Sequence, residues 1–127
     1  MTHVLIVEAD RLLGNNIAAA FTLRGHSATF TPDAQAAINA ADAKTPDVII
    51  LDLMLAGRSG IEFLYELRSY PDWQTLPVIV YSNLAPANLI LECDISQLGI
   101  EQVFHKPTTK ISDLVAEVER LAAKSKV

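Results

Sequence analysis

The sequence is poor in several features that define whole classes of protein. It contains one cysteine, Cys93, so an internal disulfide is impossible and disulfide-stabilised extracellular scaffolds are excluded. No apolar run approaches the roughly 20 residues that a membrane-spanning helix needs. The first residues lack the basic region and long apolar stretch of a signal peptide. We therefore expect a cytoplasmic protein with no membrane contact.

Basic residues are also scarce, with 10 Lys and Arg against 15 Asp and Glu and a formal charge of −5 at pH 7. Nucleic-acid affinity rests on basic side chains that neutralise phosphates, so direct nucleic-acid binding is not expected. Half of the 127 residues are apolar and a fifth are charged, as in ordinary globular proteins. A chain of this size forms one hydrophobic core. We therefore predict a single domain over residues 1–127.

The most informative stretch is Val48–Leu51, four consecutive aliphatic residues that follow Pro46-Asp47 and precede Asp52. An unbroken apolar run of this length is typical of a central strand in a parallel sheet that helices cover on both faces. Such a strand presents the next residue at the C-terminal edge of the sheet, where open α/β sheets hold their sites. A carboxylate at this place is costly to desolvate alone, so it should lie near water, a cation or a metal. Asp52 is therefore the first candidate for chemistry.

Four further segments have the apolar pattern of strands, and helical patterns separate them. Strands are predicted at 3–7, 26–31, 76–82 and 102–105, and helices at about 11–24, 32–44, 60–69, 86–98 and 111–124. Strands that alternate with helices favour parallel βαβ units joined by right-handed crossovers. The sequence therefore predicts an α/β fold.

Polar residues stand just past the ends of four predicted strands. They are Glu8 with Asp10, Asp52, Ser82 with Asn83, and Lys106. In a doubly wound sheet these strand ends converge on one edge. Carboxylates, a hydroxyl and an ammonium group gathered there could bind a hard cation and a phosphoryl group. Any one of these residues is more simply a helix cap or a solvated strand end, but all of them in this order favour a site.

This ordered set resembles the receiver domain of two-component response regulators. The resemblance covers nearly the whole chain and rests on residues 4–10, on 46–52 with Gly60 eight positions later, on 78–82, and on Lys106-Pro107. It implies a doubly wound (βα)5 flavodoxin-like sandwich with a parallel five-stranded sheet of order 2-1-3-4-5. It also implies a signalling domain, a phosphoprotein of a phosphorelay, rather than an enzyme.

The resemblance assigns roles to the acidic residues. Asp52 would be the phosphoacceptor, taking a phosphoryl group from a phospho-histidine on a sensor histidine kinase or phosphotransfer protein. Glu8, Asp52 and the backbone carbonyl of Met54 would hold Mg²⁺, with Asp10 as a further candidate ligand. The family usually has a second metal-binding acid where this chain has Ala9, so the resemblance implies a weakened Mg²⁺ site.

The resemblance assigns the remaining steps to two further side chains. Lys106 would pair with the phosphoryl oxygens, and a cis peptide bond to Pro107 would point its side chain at the phosphoryl site. Ser82 would turn inward to hydrogen-bond the phosphoryl group, which would convert charge at the site into a loop movement. The aromatic residue that the family usually has three positions before this lysine is replaced by Val103.

An output partner would bind the face formed by helix 86–98, strand 102–105 and helix 111–124. Leu89 and Ile90 are apolar and have no clear place in the predicted core, which supports a partner surface there.

Three alternatives compete with a phosphorylated receiver. A degenerate pseudo-receiver would act as a phosphorylation-independent protein-interaction module. An aspartate-nucleophile phosphatase commonly has a second Asp two positions after the first, where this chain has Met54, so we discount it. A flavin-binding relative of the fold is disfavoured because Glu8-Ala9-Asp10 is acidic and would repel phosphate. Asp52, Ser82 and Lys106 together favour the phosphorylated receiver over the pseudo-receiver.

Overall fold

One sheet of five parallel strands forms the centre of the molecule, in the order β2-β1-β3-β4-β5. The strands are β1 (His3–Val7), β2 (Ser27–Thr31), β3 (Val48–Leu51), β4 (Val78–Ser82) and β5 (Ile100–His105). The structure is a computed structural model that describes residues 2–55, 57, 59–83 and 98–125. Because neighbouring strands are parallel, their C-terminal ends lie along one edge. The predicted fold and strand order are confirmed.

The helices of the described ranges connect these strands. They are α1 (Arg11–Leu23), α2 (Ala34–Ala43), α3 (Gly60–Ser69) and α4 (Ile111–Ser125), with 3-10 turns at Pro71–Trp73 and Lys106–Thr108. The side chains of Asp10, Asp33 and Ser59 cap α1, α2 and α3 by accepting a backbone N–H three residues on. None of the described helices is long and apolar enough to cross a membrane.

Two hydrophobic layers cover the two faces of the sheet. Ile49 and Leu51 of β3 belong to the layer that α2 and α3 complete. Ile50, between them, belongs to the opposite layer, which contains buried side chains of α1 and α4. Successive strand side chains point to opposite faces, so a central strand with both faces covered must be apolar at every position. This packing holds Asp52 at a fixed place at the end of β3.

Two predictions about local structure are wrong, and a third concerns residues that the structure mostly does not describe. The second helix begins at Ala34 rather than at Pro32, because Asp33 is extended and acts as its N-cap. The bond between Lys106 and Pro107 is trans, not cis, and these residues open a 3-10 turn closed by the Thr109 N–H to the Lys106 carbonyl. The predicted helix at 86–98, with Leu89 and Ile90, lies outside the described residues except for its last position, Leu98, which is buried.

Candidate functional site

The four strand-end positions predicted from the sequence lie together at the C-terminal edge of the sheet. Glu8 follows β1, Asp52 follows β3, Ser82 ends β4 and Lys106 follows β5. Glu8, Asp52 and Ser82 have relative exposures of 3%, 6% and 1%, and the Lys106 side chain is 12% exposed. Charged groups are rarely this buried unless they are paired. The structure therefore has to balance these charges internally.

Lys106 provides that balance by bridging the two carboxylates. Its Nζ lies 2.8 Å from Glu8 Oε1 and 2.9 Å from Asp52 Oδ2. Both distances are typical of charge-assisted hydrogen bonds. One ammonium therefore holds the two carboxylates that directly follow strands β1 and β3, and the three groups together carry a net charge of −1.

The second oxygen of each carboxylate accepts a backbone N–H. The Asp10 N–H donates to Glu8 Oε2 at 3.1 Å, and the Met54 N–H donates to Asp52 Oδ1 at 3.0 Å. All four carboxylate oxygens thus have a donor within the protein. Hydrogen bonds of this kind stabilise the ionised form of a carboxylate in a buried place.

The pKa shifts at the site have two causes: burial of the charged groups, and the sharing of one ammonium by two acids. Burial raises the pKa of Glu8 above its ordinary value, against the opposing effect of its hydrogen bonds from Lys106 and the Asp10 N–H. Burial alone would lower the pKa of Lys106, but the hydrogen bonds to Glu8 and Asp52 outweigh it and raise that pKa. Deprotonating Lys106 would leave two buried carboxylates without a counter-charge. Protonating Glu8 would instead leave Lys106 and Asp52 as one balanced pair. Protonation of Glu8 is therefore less costly than deprotonation of Lys106.

The pair Glu8 and Asp52 fits a hard cation with few protein ligands. An oxygen of each lies within hydrogen-bond distance of the Lys106 nitrogen, so one small cation that took the place of this nitrogen could contact both. Mg²⁺ accepts such sites because it keeps several of its waters. The described residues contain no group of three His, Cys, Asp or Glu side chains suited to a metal. Asp10 is exposed and its Oδ1 caps α1 at 3.2 Å from the Leu13 N–H, so that helix cap competes for its carboxylate.

Gly60 sets how closely α3 approaches the segment after Asp52. A Cβ at this position would lie 2.6 Å from Leu53 Cα and 2.8 Å from the Asp52 carbonyl oxygen, distances that require backbone movement. The Gly60 N–H also donates to the Leu53 carbonyl at 2.8 Å. The glycine eight residues after Asp52 therefore allows the start of α3 to pack directly behind the acid.

Two further residues contact the site and were missed by sequence reasoning. The Lys106 ammonium lies 5.7 Å from the ring centroid of Tyr81, within range of a cation–π interaction. His105 Nε2 lies 3.1 Å from the carbonyl oxygen of Asn83. In the sequence, Tyr81 directly precedes Ser82 and His105 directly precedes Lys106, which was the available signal that they lie near the site. The sequence does not show where either side chain points.

Comparison with known proteins agrees with this geometry. A sequence model of the family described as "Response regulator receiver domain" matches residues 4–119. The chain belongs to the response regulator receiver domain family. Transcriptional regulatory protein CseB of Streptomyces avermitilis is 31% identical to this receiver domain over 122 residues, which are 96% of this chain and 48% of that protein. The receiver domain therefore spans about half the length of this curated relative.

Solved structures show the same fold. The receiver domain of the Francisella response regulator 1452 has a TM-score of 0.84 at 26% identity and covers 98% of this chain and 99% of its own. The BeF3-activated N-terminal receiver domain of Klebsiella pneumoniae RstA has a TM-score of 0.77 at 27% identity, with 92% and 95% of the two chains covered. These similarities establish the family and fold of this receiver domain, whereas the roles of its individual site residues are proposals.

Proposed function

We propose that this receiver domain accepts a phosphoryl group on Asp52 from a phospho-histidine donor and relays the change to an output partner. The observation that carries the proposal is the pairing of Asp52 Oδ2 with Lys106 Nζ at 2.9 Å. Glu8 and the buried hydroxyl of Ser82 stand at the same edge of the sheet. A nucleophilic carboxylate beside a fixed ammonium is what transfer of a charged phosphoryl group requires.

The transfer step exchanges one bond to phosphorus for another. A carboxylate oxygen of Asp52 forms a bond to phosphorus, and the bond between phosphorus and the donor imidazole nitrogen breaks. The imidazole leaves with the electron pair of that bond. Lys106 neutralises charge on the phosphoryl oxygens, and Ser82 supplies a hydroxyl for a hydrogen bond once the group is attached.

We propose Glu8, Asp52 and the Met54 carbonyl as the residues that would hold Mg²⁺, with Asp10 as a substitute ligand. When bound, the metal supplies positive charge between the carboxylates and the phosphoryl group. Binding would require the Lys106 ammonium to give up at least one of its two carboxylate contacts, because it now uses the oxygens that the metal needs. Together with Ala9, this competition supports a weak site.

The proposed partners follow from the proposed phosphoryl transfer to Asp52. The donor is a sensor histidine kinase or a phosphotransfer protein of the cytoplasm, docking at the edge that carries Asp52. The output protein or domain would bind across β5, α4 and the segment 86–98, which lies outside the described residues except for Leu98. We also propose that residues 1–127 act as one receiver domain.

The decisive experiment is intact-mass measurement after incubation with acetyl phosphate and Mg²⁺. The natural chain should gain the mass of one phosphoryl group. The matched control is Asp52→Asn, which keeps the size of the side chain and removes the nucleophile, and which should gain nothing. A natural chain that stays unmodified, or an Asp52→Asn variant that is still modified, would contradict the proposal.

One observation favours a second function, that of a pseudo-receiver. All four oxygens of Glu8 and Asp52 already accept hydrogen bonds from protein donors, so the pocket is satisfied with no phosphoryl group or metal. This arrangement suits a pseudo-receiver that binds its partner without phosphorylation. In that case the mass assay gives no addition, and Asp52→Asn leaves partner binding unchanged.

A further inference from the structure

His105 stands where three parts of the site meet. It is the last residue of β5 and pairs in register with Ser82 of β4. The next residue in the chain is Lys106. The side chain of His105 reaches Asn83, the residue that follows Ser82, with Nε2 3.1 Å from the Asn83 carbonyl oxygen. One side chain thus ties the exit of β4 to the strand end that carries the site's ammonium.

The direction of this hydrogen bond is fixed by its acceptor. A carbonyl oxygen can only accept, so His105 Nε2 must carry a hydrogen. The neutral Nε2–H tautomer and the doubly protonated imidazolium both satisfy this requirement. The contact therefore acts as a structural connection between His105 and Asn83.

Val103 cannot supply a comparable polar connection. Its aliphatic side chain packs against the hydrophobic layer on the α2 and α3 side of the sheet. His105, two residues later on β5, carries the polar group that contacts the segment after β4. A shift of Ser82 towards a group bound at Asp52 would move the adjacent Asn83 carbonyl. The imidazole would pass that movement to the backbone at Lys106.

We propose that His105 is a positioning residue that couples Asn83, the first residue after β4, to Lys106. The coupling deepens the proposed function, since it describes how a change at Asp52 would leave the site. Its first requirement, the hydrogen bond itself, exists in the unphosphorylated protein. The coupling is therefore open to test with or without phosphorylation.

The first test reads the imidazole directly. Long-range ¹H–¹⁵N correlation spectra of the full chain at neutral pH report which ring nitrogen of His105 is protonated. We expect Nε2 to be protonated, and we expect His105→Gln, whose side-chain amide can donate from a similar position, to preserve the Asn83 amide shift better than His105→Ala. A neutral ring with hydrogen on Nδ1 alone would overturn the proposal.

The second test is a double-mutant cycle in the unphosphorylated protein. Asn83 is exposed, so Asn83→Gly perturbs the segment after β4 without opening the core. We expect the resulting change in the Lys106 amide shift to be about twofold larger with His105 present than in the His105→Ala background, because only the first retains the connection. Gln102→Ala, at another exposed position of β5, is the control background and should behave like the natural chain. Equal changes in all three backgrounds would overturn the coupling.

The mass assay separates this inference from the proposed function. A non-additive cycle with no phosphoryl addition means that the coupling exists and the phosphoacceptor proposal is wrong. Phosphoryl addition with an additive cycle means that Asp52 is the acceptor and His105 is not the connection. Where Asp52 is modified, the change in β5 amide shifts per modified molecule should fall about twofold in His105→Ala and recover in His105→Gln.

Discussion

Glu8 and Lys106 form a buried ion pair, with Oε1 and Nζ 2.8 Å apart and side-chain exposures of 3% and 12%. The two residues are 98 positions apart in the chain and meet because β1 and β5 end at the same edge of the sheet. The same nitrogen holds Asp52. Lys106 therefore serves as an internal cation for two acids, and any Mg²⁺ or phosphoryl group entering the site has to rearrange its contacts.

Lys106→Met should destabilise the protein and strengthen its response to Mg²⁺. Removing the ammonium leaves two buried carboxylates without a counter-charge, which should lower the free energy of unfolding by about 3 kcal/mol at neutral pH. Added Mg²⁺ should raise the melting temperature of this variant more than that of the natural chain, since a ligand that binds only the folded state stabilises it. Lys110→Met, at an exposed position nearby, is the control. A Lys106→Met variant as stable as this control would show that the bridge contributes no stability.

Glu8→Gln should make the protein more stable at neutral pH, with a gain that depends on pH. The raised pKa of Glu8 means that the folded protein binds this proton more tightly than the unfolded chain. Stability is therefore lost as pH rises from the ordinary carboxyl pKa through the raised folded pKa. The glutamine variant lacks this loss, so its advantage in urea unfolding should be absent at low pH and appear as pH rises through that window. Glu101→Gln, at an exposed position, should show no such pattern, and a variant that loses stability at every pH would contradict the prediction.

Ala9→Asp should strengthen Mg²⁺ binding and speed phosphorylation of Asp52. Ala9 is exposed at the rim, next to the buried Glu8, so a carboxylate there adds charge where the pocket has only two acids. We expect affinity to rise about tenfold, or about 1.4 kcal/mol, in a titration that follows the Met54 amide by NMR.

The control for this prediction is Ala9→Asn, which has the same shape without the charge and should bind Mg²⁺ like the natural chain. Equal affinities for the natural chain and Ala9→Asp would mean that the missing acid has no effect on the site.

Gly60→Ala should damage the site through the backbone. The added methyl group would meet Leu53 Cα at 2.6 Å and the Asp52 carbonyl oxygen at 2.8 Å, so α3 and the segment behind Asp52 must separate. We expect a loss of about 1–3 kcal/mol in the free energy of unfolding, with amide shifts at Leu53 and Met54. Gly25→Ala, where an added Cβ meets nothing within 4 Å but φ is +83°, is a comparison that carries backbone strain without a clash. Its effect should not reach the Asp52 segment, and unchanged shifts at Leu53 in Gly60→Ala would refute the clash.

The sequence by itself determined the architecture and the location of the site. The apolar run 48–51 predicts a strand covered on both faces, and alternation of strands with helices predicts a parallel sheet. Asp10 identifies the start of α1 because a cap bonds to N–H groups only two or three residues away. Such signals are short in range, so they can be read from neighbouring residues. The same reasoning placed Glu8, Asp52, Ser82 and Lys106 at one edge.

Only the tertiary structure decided which of these groups touch and how deeply they are buried. That Lys106 bonds to both Glu8 and Asp52 depends on the order and register of β1, β3 and β5, which bring together residues up to 98 positions apart. The start of α2 at Ala34 rather than at Pro32 and the trans bond before Pro107 likewise reflect competition among several local conformations. The contact between His105 and Asn83 depends on a side-chain direction that strand periodicity leaves open. Periodicity fixes the face on which a residue lies, but the partner of a charge is set by distances across the sheet.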